Sequence, residues 1–520
     1  MNRDNMLSRI TDKSTIWDIV IIGGGATGIG AAIEAASRGY KVALFEMGDF
    51  GQGTSSRSTK LIHGGVRYLQ HGNVSLVLEA LKERGLLLQN APHLVHNLPF
   101  IVPVYDWWES PFYGIGLKLY DILAGKHGFG KSKLLSKEET IKHIPTVETD
   151  GLRGGVIYYD GQFDDARLII NMAETAAEQG AAVLNYIEVT GLIKKSDGFT
   201  AGVKITDMET NKSYDISSKV IINATGVFAD AVRHLDDPKS TPIIRPSQGV
   251  HIVLNKEFLP GNSAIMVPHT DDGRVLFAIP WHDRIIVGTT DTPVEEVTVE
   301  PRPFKEEIDF LLEHAARYLT KDPTKEDVLS IFAGLRPLVN LGGEENTADI
   351  SRDHTVHISH SGLITIAGGK WTTYRNMAED TINQAAILGC LDETPSVSEK
   401  LPIHGYHQHA HQFGDLSIYG SDAPKLQNLL HENPKYKEQL HPKMKYLTGE
   451  VIWAVRNEMA RTADDFLSRR TRALLLDAKV SLEMAPKVID LMAKELGRKK
   501  SWKREQLKKY SEMAKGYSLH

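Results

Sequence analysis

The sequence predicts an α/β chain: a Rossmann-like dinucleotide-binding domain, a mixed or antiparallel β domain for the substrate, and an all-α C-terminal domain. Three observations carry that reading. A strand, a glycine turn, a helix and a second strand follow one another between Ile19 and Phe45. Short β-branched runs separated by turn residues fill much of 250–288. From Pro402 onward the chain turns to charged helical segments with few strand signals.

Ile19, Val20, Ile21 and Ile22 are continuously apolar, as in a strand buried on both faces of a parallel sheet. Gly28 to Arg38 is rich in small residues and reads as a helix, Gly39 and Tyr40 make the connection, and Val42 to Phe45 is the next buried strand. Together they form a βαβ unit. Asp164 and Asp165 read as a helix N-cap before Ala166 to Glu178, since short acidic side chains accept from the free N–H groups of a first turn. Val220 to Asn223 is another strand, ending at Ala224-Thr225-Gly226. Val250 to Leu254, Val275 to Ile279 and Ile285 to Gly288 predict a mostly antiparallel sheet. Leu363 to Ala367 is a late strand, with a helix over Thr373 to Leu388 after it. The expected division is a catalytic region over 17–390, with its dinucleotide part at about 17–98, 155–235 and 345–390 and its substrate part at about 99–154 and 236–344, followed by a helical domain over 402–520.

A chain of 520 residues exceeds what one hydrophobic core supports. The net charge of -6 argues against a nucleic-acid partner bound through overall charge. Cys390 is the only cysteine, so no internal disulfide can form and a reducing cytoplasm fits. Beside Ala385, Ile387 and Leu388 it is expected to be a buried bystander rather than a catalytic thiol. Residues 1–17 lack the apolar core of a signal peptide. The most apolar stretch, Leu98 to Ala124, is broken by Asp106, Glu109, Lys118 and Asp121, which makes a membrane span costly.

Gly23, Gly25 and Gly28 form G-x-G-x-x-G directly after the first strand and at the start of the first helix. The first glycine permits the tight turn, the second lets backbone approach a pyrophosphate, and the third lets helix and strand pack closely. The helix N-terminus then offers free N–H groups and a positive dipole end to phosphates. Glu46 ends the second strand, where a carboxylate binds ribose hydroxyls and repels a 2′-phosphate. Strand, helix, second strand and acidic terminus all fall in register, which favours a dinucleotide over an empty glycine turn. The motif does not by itself separate FAD from NAD.

Further segments do. Thr54-Ser55-Ser56-Arg57-Ser58-Thr59-Lys60 leads into His63-Gly64-Gly65-Val66-Arg67-Tyr68, Asn223-Ala224-Thr225-Gly226 follows a later strand, and Gly368-Gly369-Lys370-Trp371-Thr372-Thr373 follows the last. With the glycine motif these resemble the D-amino-acid-oxidase superfamily. The run from Ser58 to Leu69 is similar to the FAD-dependent glycerol-3-phosphate dehydrogenases in particular, as are Gly334-Leu335-Arg336-Pro337, Ser351-Arg352-Asp353, Val287 to Asp291 and Asp465 to Arg472. The resemblance covers nearly the whole chain. It implies non-covalent FAD held by Gly23, Gly24, Gly25, Gly28, Glu46, Thr54, Ser55, Ser56, Lys60, His63, Gly64, Gly226 and Gly369. It also implies oxidation of glycerol 3-phosphate at C2, with Arg67 and Tyr68 on the phosphate, Arg352 and Thr372 on the substrate, and Arg336 and Lys370 at the reaction centre. A dianionic substrate needs fixed cations, and guanidinium forks suit phosphate and developing oxyanions.

Removing the hydroxyl proton needs a base, and His251 is the first candidate, set against a satisfied core histidine. His404, His407, His409 and His411 have loose metal-like spacing without a carboxylate or cysteine among them, so a solvated linker and no metal are expected. A membrane quinone is the implied electron acceptor, which places the enzyme in the cytoplasm, peripheral on the inner face of the membrane. Two surfaces offer contact. One is the tail, where Arg498, Lys499, Lys500, Lys503, Arg504, Lys508, Lys509 and Lys515 face only Glu505 and Glu512. The other is Trp107, Trp108, Phe112 and Tyr113, for which burial in the fold or in a homodimer is the expected alternative. The rivals are an oxidase passing electrons to oxygen, the same fold acting on an amine or amino acid, and a flavin-bound regulatory or RNA-modification module.

Overall fold

The computed structural model describes residues 1–65, 73–106, 109–125, 128–268, 270, 275–340 and 353–519, without the side chains of 109–112. The first sheet is built around Trp17–Ile22, which lies parallel between Val42–Phe45 and the end of Lys212–Asn223. Ala182–Leu184 extends it on one side and Leu363–Gly368 on the other, again in parallel. His354–Ile358 closes the edge in the antiparallel sense. Ile19, Val20 and Ile21 are each 0% exposed because helices cover both faces, and each such side chain contributes about 1.5–3 kcal/mol on burial. The helices Ala26–Ser37, Asp165–Glu178 and Tyr374–Leu388 pack on this sheet. Asp164 caps the second of them, its carboxylate accepting from Arg167 N at 3.0 Å. An antiparallel ribbon not foreseen from the sequence, Ile187–Lys194 with Thr200–Asp207, is appended to the outer half of Lys212–Asn223.

Among the described residues the second sheet has ten strands and is almost wholly antiparallel, as its β-branched runs predict. Its longest ladders pair Val95–Val104 with Gly154–Phe163 and Ile244–Asn255 with Ser330–Val339. One parallel join, Ala264 and Ile265 beside Phe100 and Ile101, connects the two halves. Gly154–Phe163 falls in the expected dinucleotide part by number, yet pairs here in the second sheet. The C-terminal helices Thr448–Asn457, Ala478–Glu495 and Lys500–Ala514 share a core with that sheet, in which Val253, Trp281, Ile286 and Phe332 meet Val451, Phe466 and Val488. A small hairpin, Gln439–His441 with Met444–Leu447, interrupts the helical run. Among the described residues no helix is long and apolar enough to cross a membrane.

Two expectations are corrected. Cys390 is exposed: the helix ends at Leu388, Gly389 caps it, and Cys390 leaves with φ +47° while Ile387 is 74% exposed. Ala385 and Leu388 do face the core, but the chain turns outward after them and carries Cys390 to the surface. His404 is no solvated linker residue either. It lies among Glu178 and Asp422, both at 2.7 Å, and Glu174 at 3.5 Å. Its carboxylates come from the helix Asp165–Glu178 and from further along the chain, where local spacing cannot reveal them. His409 and His411 remain exposed.

Candidate active site

The glycine turn leaves no room for side chains. Gly23 adopts φ +109°, and a Cβ there would lie 2.6 Å from the Ala224 carbonyl oxygen. A Cβ on Gly28 would lie 2.0 Å from the Gly23 oxygen, so the third glycine serves helix packing. Gly25 N-caps the helix Ala26–Ser37 with no side chain of its own, and Ser55 takes the first N–H, at Ala26, leaving the rest of the helix end to face an anion. Gly24 turns inward, its N–H donating to the Glu46 carboxylate at 2.6 Å. The other Glu46 oxygen accepts from Gly48 N at 2.7 Å. Burial outweighs these two bonds and holds the Glu46 carboxyl above the usual range. Each oxygen keeps a second lone pair for a hydroxyl.

A cleft of about 530 Å³ opens over this turn, lined by Gly23, Gly25, Glu46, Thr54, Ser55, Gly226, Gly369, Lys370 and Trp371. It is stitched together across long sequence separations. Ser55 Oγ accepts from Ala26 N at 3.0 Å, Trp371 Nε1 donates to the Ser55 carbonyl at 2.9 Å, and Thr54 Oγ1 donates to the Leu335 carbonyl at 2.7 Å. Gly226 and Gly369 have φ of +58° and +72°, which glycine adopts without steric cost. The open helix end, the glycine floor and the carboxylate beside it suit a dinucleotide.

Other expected cofactor residues are not among those lining the cleft. Lys60 is fully buried, with Nζ 2.8 Å from the Ser56 carbonyl and 2.6 Å from Asp165. Its φ of +62° turns the side chain inward, beneath the loop rather than into the cleft. Burial outweighs pairing with Asp165 and holds the amine down at about 7. Ser56 is buried below the same loop. Gly64 donates through its N–H to the Tyr120 hydroxyl oxygen at 2.8 Å. The carbonyl of half-buried His63 lies 3.5 Å from the hydroxyl of buried Thr372. Arg67, Tyr68 and Arg352 lie outside the described residues.

His251 and Arg336 come from paired strands of the second sheet, where His251 stands opposite Phe332 and Arg336 opposite Ser247. The His251 ring stacks on Phe332 at 4.8 Å, and its Nε2 is 2.9 Å from Thr59 Oγ1. Its buried Nδ1 has no hydrogen-bond partner. Burial first, then the charges of Lys60 and Arg336, hold the imidazole well below its ordinary value, so it is neutral. The Arg336 guanidinium donates to Thr290 O at 2.9 Å, Thr289 Oγ1 at 3.1 Å and Asp291 Oδ1 at 3.2 Å. A Cβ on Gly249 would come within 2.4 Å of Arg336 Nη2, and one on Gly288 within 2.1 Å of the His251 ring, so both glycines are vacated for these side chains. The sequence had not singled out Thr59, Gly249 or Trp371. Thr59 and Trp371 lie in motifs already quoted, which was the available signal.

Residues 18–375 match the family described as FAD dependent oxidoreductase. Residues 363–506 match the C-terminal domain of alpha-glycerophosphate oxidase. The mitochondrial glycerol-3-phosphate dehydrogenase of Rattus norvegicus is 43% identical over 543 residues, covering 97% of this chain and 74% of the relative. The human protein of the same name is 43% identical over 525 residues, covering 94% and 72%. A crystal structure of the glycerol-3-phosphate dehydrogenase from Bacillus halodurans complexed with FAD superposes with a TM-score of 0.81 at 29% identity, covering 99% of this chain and 97% of that one. The chain thus belongs to the FAD-dependent oxidoreductase family, among the glycerol-3-phosphate dehydrogenases.

Proposed function

We propose that this chain oxidises sn-glycerol 3-phosphate to dihydroxyacetone phosphate and passes the electrons to a membrane quinone. The observation that carries the reading is a pre-bonded arginine, Arg336, set between Leu335, which Thr54 bonds, and Pro337 on the cleft wall, in a chain 43% identical to named glycerol-3-phosphate dehydrogenases. The flavin supplies the acceptor for the hydride that leaves C2. The remaining work falls to the protein. Neutral His251 accepts the hydroxyl proton as the C2–O bond gains double-bond character. Arg336, already fixed by three acceptors, stabilises the negative charge developing on that oxygen. Lys370, on the cleft wall, adds a cation at the reaction centre. Arg67, Tyr68, Arg352 and Thr372 hold the phosphate and the diol end of the substrate.

The match to the C-terminal domain of alpha-glycerophosphate oxidase supports one alternative, molecular oxygen as acceptor. Steady-state turnover of glycerol 3-phosphate with a quinone analogue under nitrogen, compared with peroxide release under air, separates the two. Fast anaerobic reduction with little peroxide is the expected result. Rapid peroxide formation would make the chain an oxidase, and no turnover with either acceptor would remove the substrate assignment. The flavin is held without a covalent bond, so acid precipitation should leave the polypeptide colourless.

A further inference from the structure

The loop from Glu46 to Lys60 shapes one wall of the flavin cleft and is tied down by bonds of its own and by Leu335 and Trp371. Its most distant partners are buried arginines of the C-terminal domain, more than 400 positions away in sequence. Near the start of the loop, Asp49 is 0% exposed and accepts from Arg469 Nε at 2.6 Å and from Arg470 at 2.5 and 3.0 Å. Burial alone would raise this carboxyl, but Arg470 and Arg469 outweigh it and hold it down at about 2. In the middle, the Ser56 carbonyl, directly after the cleft residues Thr54 and Ser55, accepts from Arg472 Nη2 at 2.7 Å. At the end, Asp165 gathers Ser58 Oγ at 2.7 Å and Lys60 Nζ at 2.6 Å, and the same carboxylate accepts from Arg472 at 3.0 Å.

Arg472 itself is 2% exposed and adopts φ +120°, a left-handed conformation disfavoured for a residue with a Cβ. Such a backbone persists only where its surroundings over-determine it. Here the guanidinium is fixed by Ser468 O, Ser56 O and Asp165. The Asp49 carboxylate would be stranded in the interior without Arg469 and Arg470.

We propose that Arg469, Arg470 and Arg472 are positioning residues for the flavin: the C-terminal domain clamps the Glu46–Lys60 loop in the shape that holds FAD. Their energy is spent on the cofactor-competent arrangement of Thr54 and Ser55, and not only on general stability. This gives the C-terminal domain a role in cofactor retention although Arg469, Arg470 and Arg472 do not line the cleft.

The test uses the full chain as wild type, Arg472→Lys, Arg472→Met and Ser58→Ala. Each protein is stripped of flavin and titrated with FAD, and urea midpoints are measured for the apo form and at one fixed FAD concentration. Because a ligand stabilises only the state that binds it, weaker FAD binding narrows the gap between the two midpoints. Arg472→Met should raise the FAD dissociation constant about tenfold or more, the size expected for losing hydrogen bonds from a charged donor. Arg472→Lys and Ser58→Ala should give smaller rises, each with a narrowed gap. If both midpoints fall in parallel with the dissociation constant unchanged, the arginine is merely structural and the proposal is overturned. Should Arg472→Met fail to fold, the two milder variants decide the matter by the same comparison.

Discussion

Arg336 is already oriented, since Thr289, Thr290 and Asp291 take up its donors on one side. Ser247 donates to the same Asp291 carboxylate, bracing it from the neighbouring strand. Removing one preorganised donor from an oxyanion site costs about 10²–10³ in kcat. Arg336→Ala should therefore lower turnover at saturating glycerol 3-phosphate by about that factor, with Arg336→Lys recovering only part because a lysine lacks the planar fork. An unchanged kcat in steady-state assays would take Arg336 out of the chemistry. At this scale the sequence was a good guide to which residues carry charge and a poor one to where they point. The glycine motif gave the floor of the cleft, and Arg336 and His251 are brought to one sheet. Lys60 shows the limit: it stands in a cofactor-loop motif, but a positive φ sends its amine to Asp165, and φ is not written in a motif.

His404 links three elements that share no local sequence pattern. Glu174 and Glu178 reach it from the helix Asp165–Glu178, Asp422 from the start of Ala423–Glu432, and Lys425 bonds Asp422 from the far side. Burial alone would lower the imidazole, but hydrogen bonds to Asp422 and Glu178 outweigh it and lift His404 to about 10 from an ordinary 6.5. A histidine whose folded value is raised stabilises the fold fully below about pH 6.5 and loses that contribution as the pH climbs through about 10. The difference in urea midpoint between wild type and His404→Ala should be largest near pH 6 and shrink steadily toward pH 10. A difference independent of pH would mean that the imidazole packs there without its charge. Strands and helices with strong periodicity were legible: Val42–Phe45 and the capped helix after Asp164 match their expected places. The appended ribbon and the C-terminal hairpin were not, because their pairing is set by tertiary context more than by local preference.

For the molecule as a whole, the proposed quinone acceptor requires a membrane contact made from the surface, since no crossing helix occurs among the described residues. The tail helix Lys500–Ala514 buries Gln506, Tyr510 and Ala514 and leaves the side chains of Lys508 and Lys509 77% and 68% exposed. Ile115, Leu119 and Ile122, at helical spacing on Glu109–Ala124, are 71%, 46% and 75% exposed. Tyr113 on that helix is buried, while Trp107, Trp108 and the Phe112 side chain lie outside the described residues. We expect the protein to sediment with anionic liposomes at low salt, each basic residue near the surface adding about 1 kcal/mol. Deleting the tail from Gly497 onward should weaken binding and flatten its salt dependence. Absence of binding at any salt, with and without the tail, would make a lipid-dissolved acceptor untenable. Fold class was legible from the periodicities, but sheet order was not. Nothing in the local pattern says that Ile19 pairs with Val220, or that Gly154–Phe163 joins the second sheet.

That pairing bears on how the protein is made. Trp17–Ile22 emerges early from the ribosome, but its parallel neighbour ends at Asn223, Trp371 ties down Ser55 later still, and Arg472 comes last. At about 5–20 residues per second, synthesis separates Gly23 from Arg472 by roughly 20–90 s. For that interval the nascent chain carries a dinucleotide fingerprint with no cleft around it, and an apolar strand lacking one of its neighbours. The complete cleft therefore exists only once segments from both ends of the chain have been made and brought together.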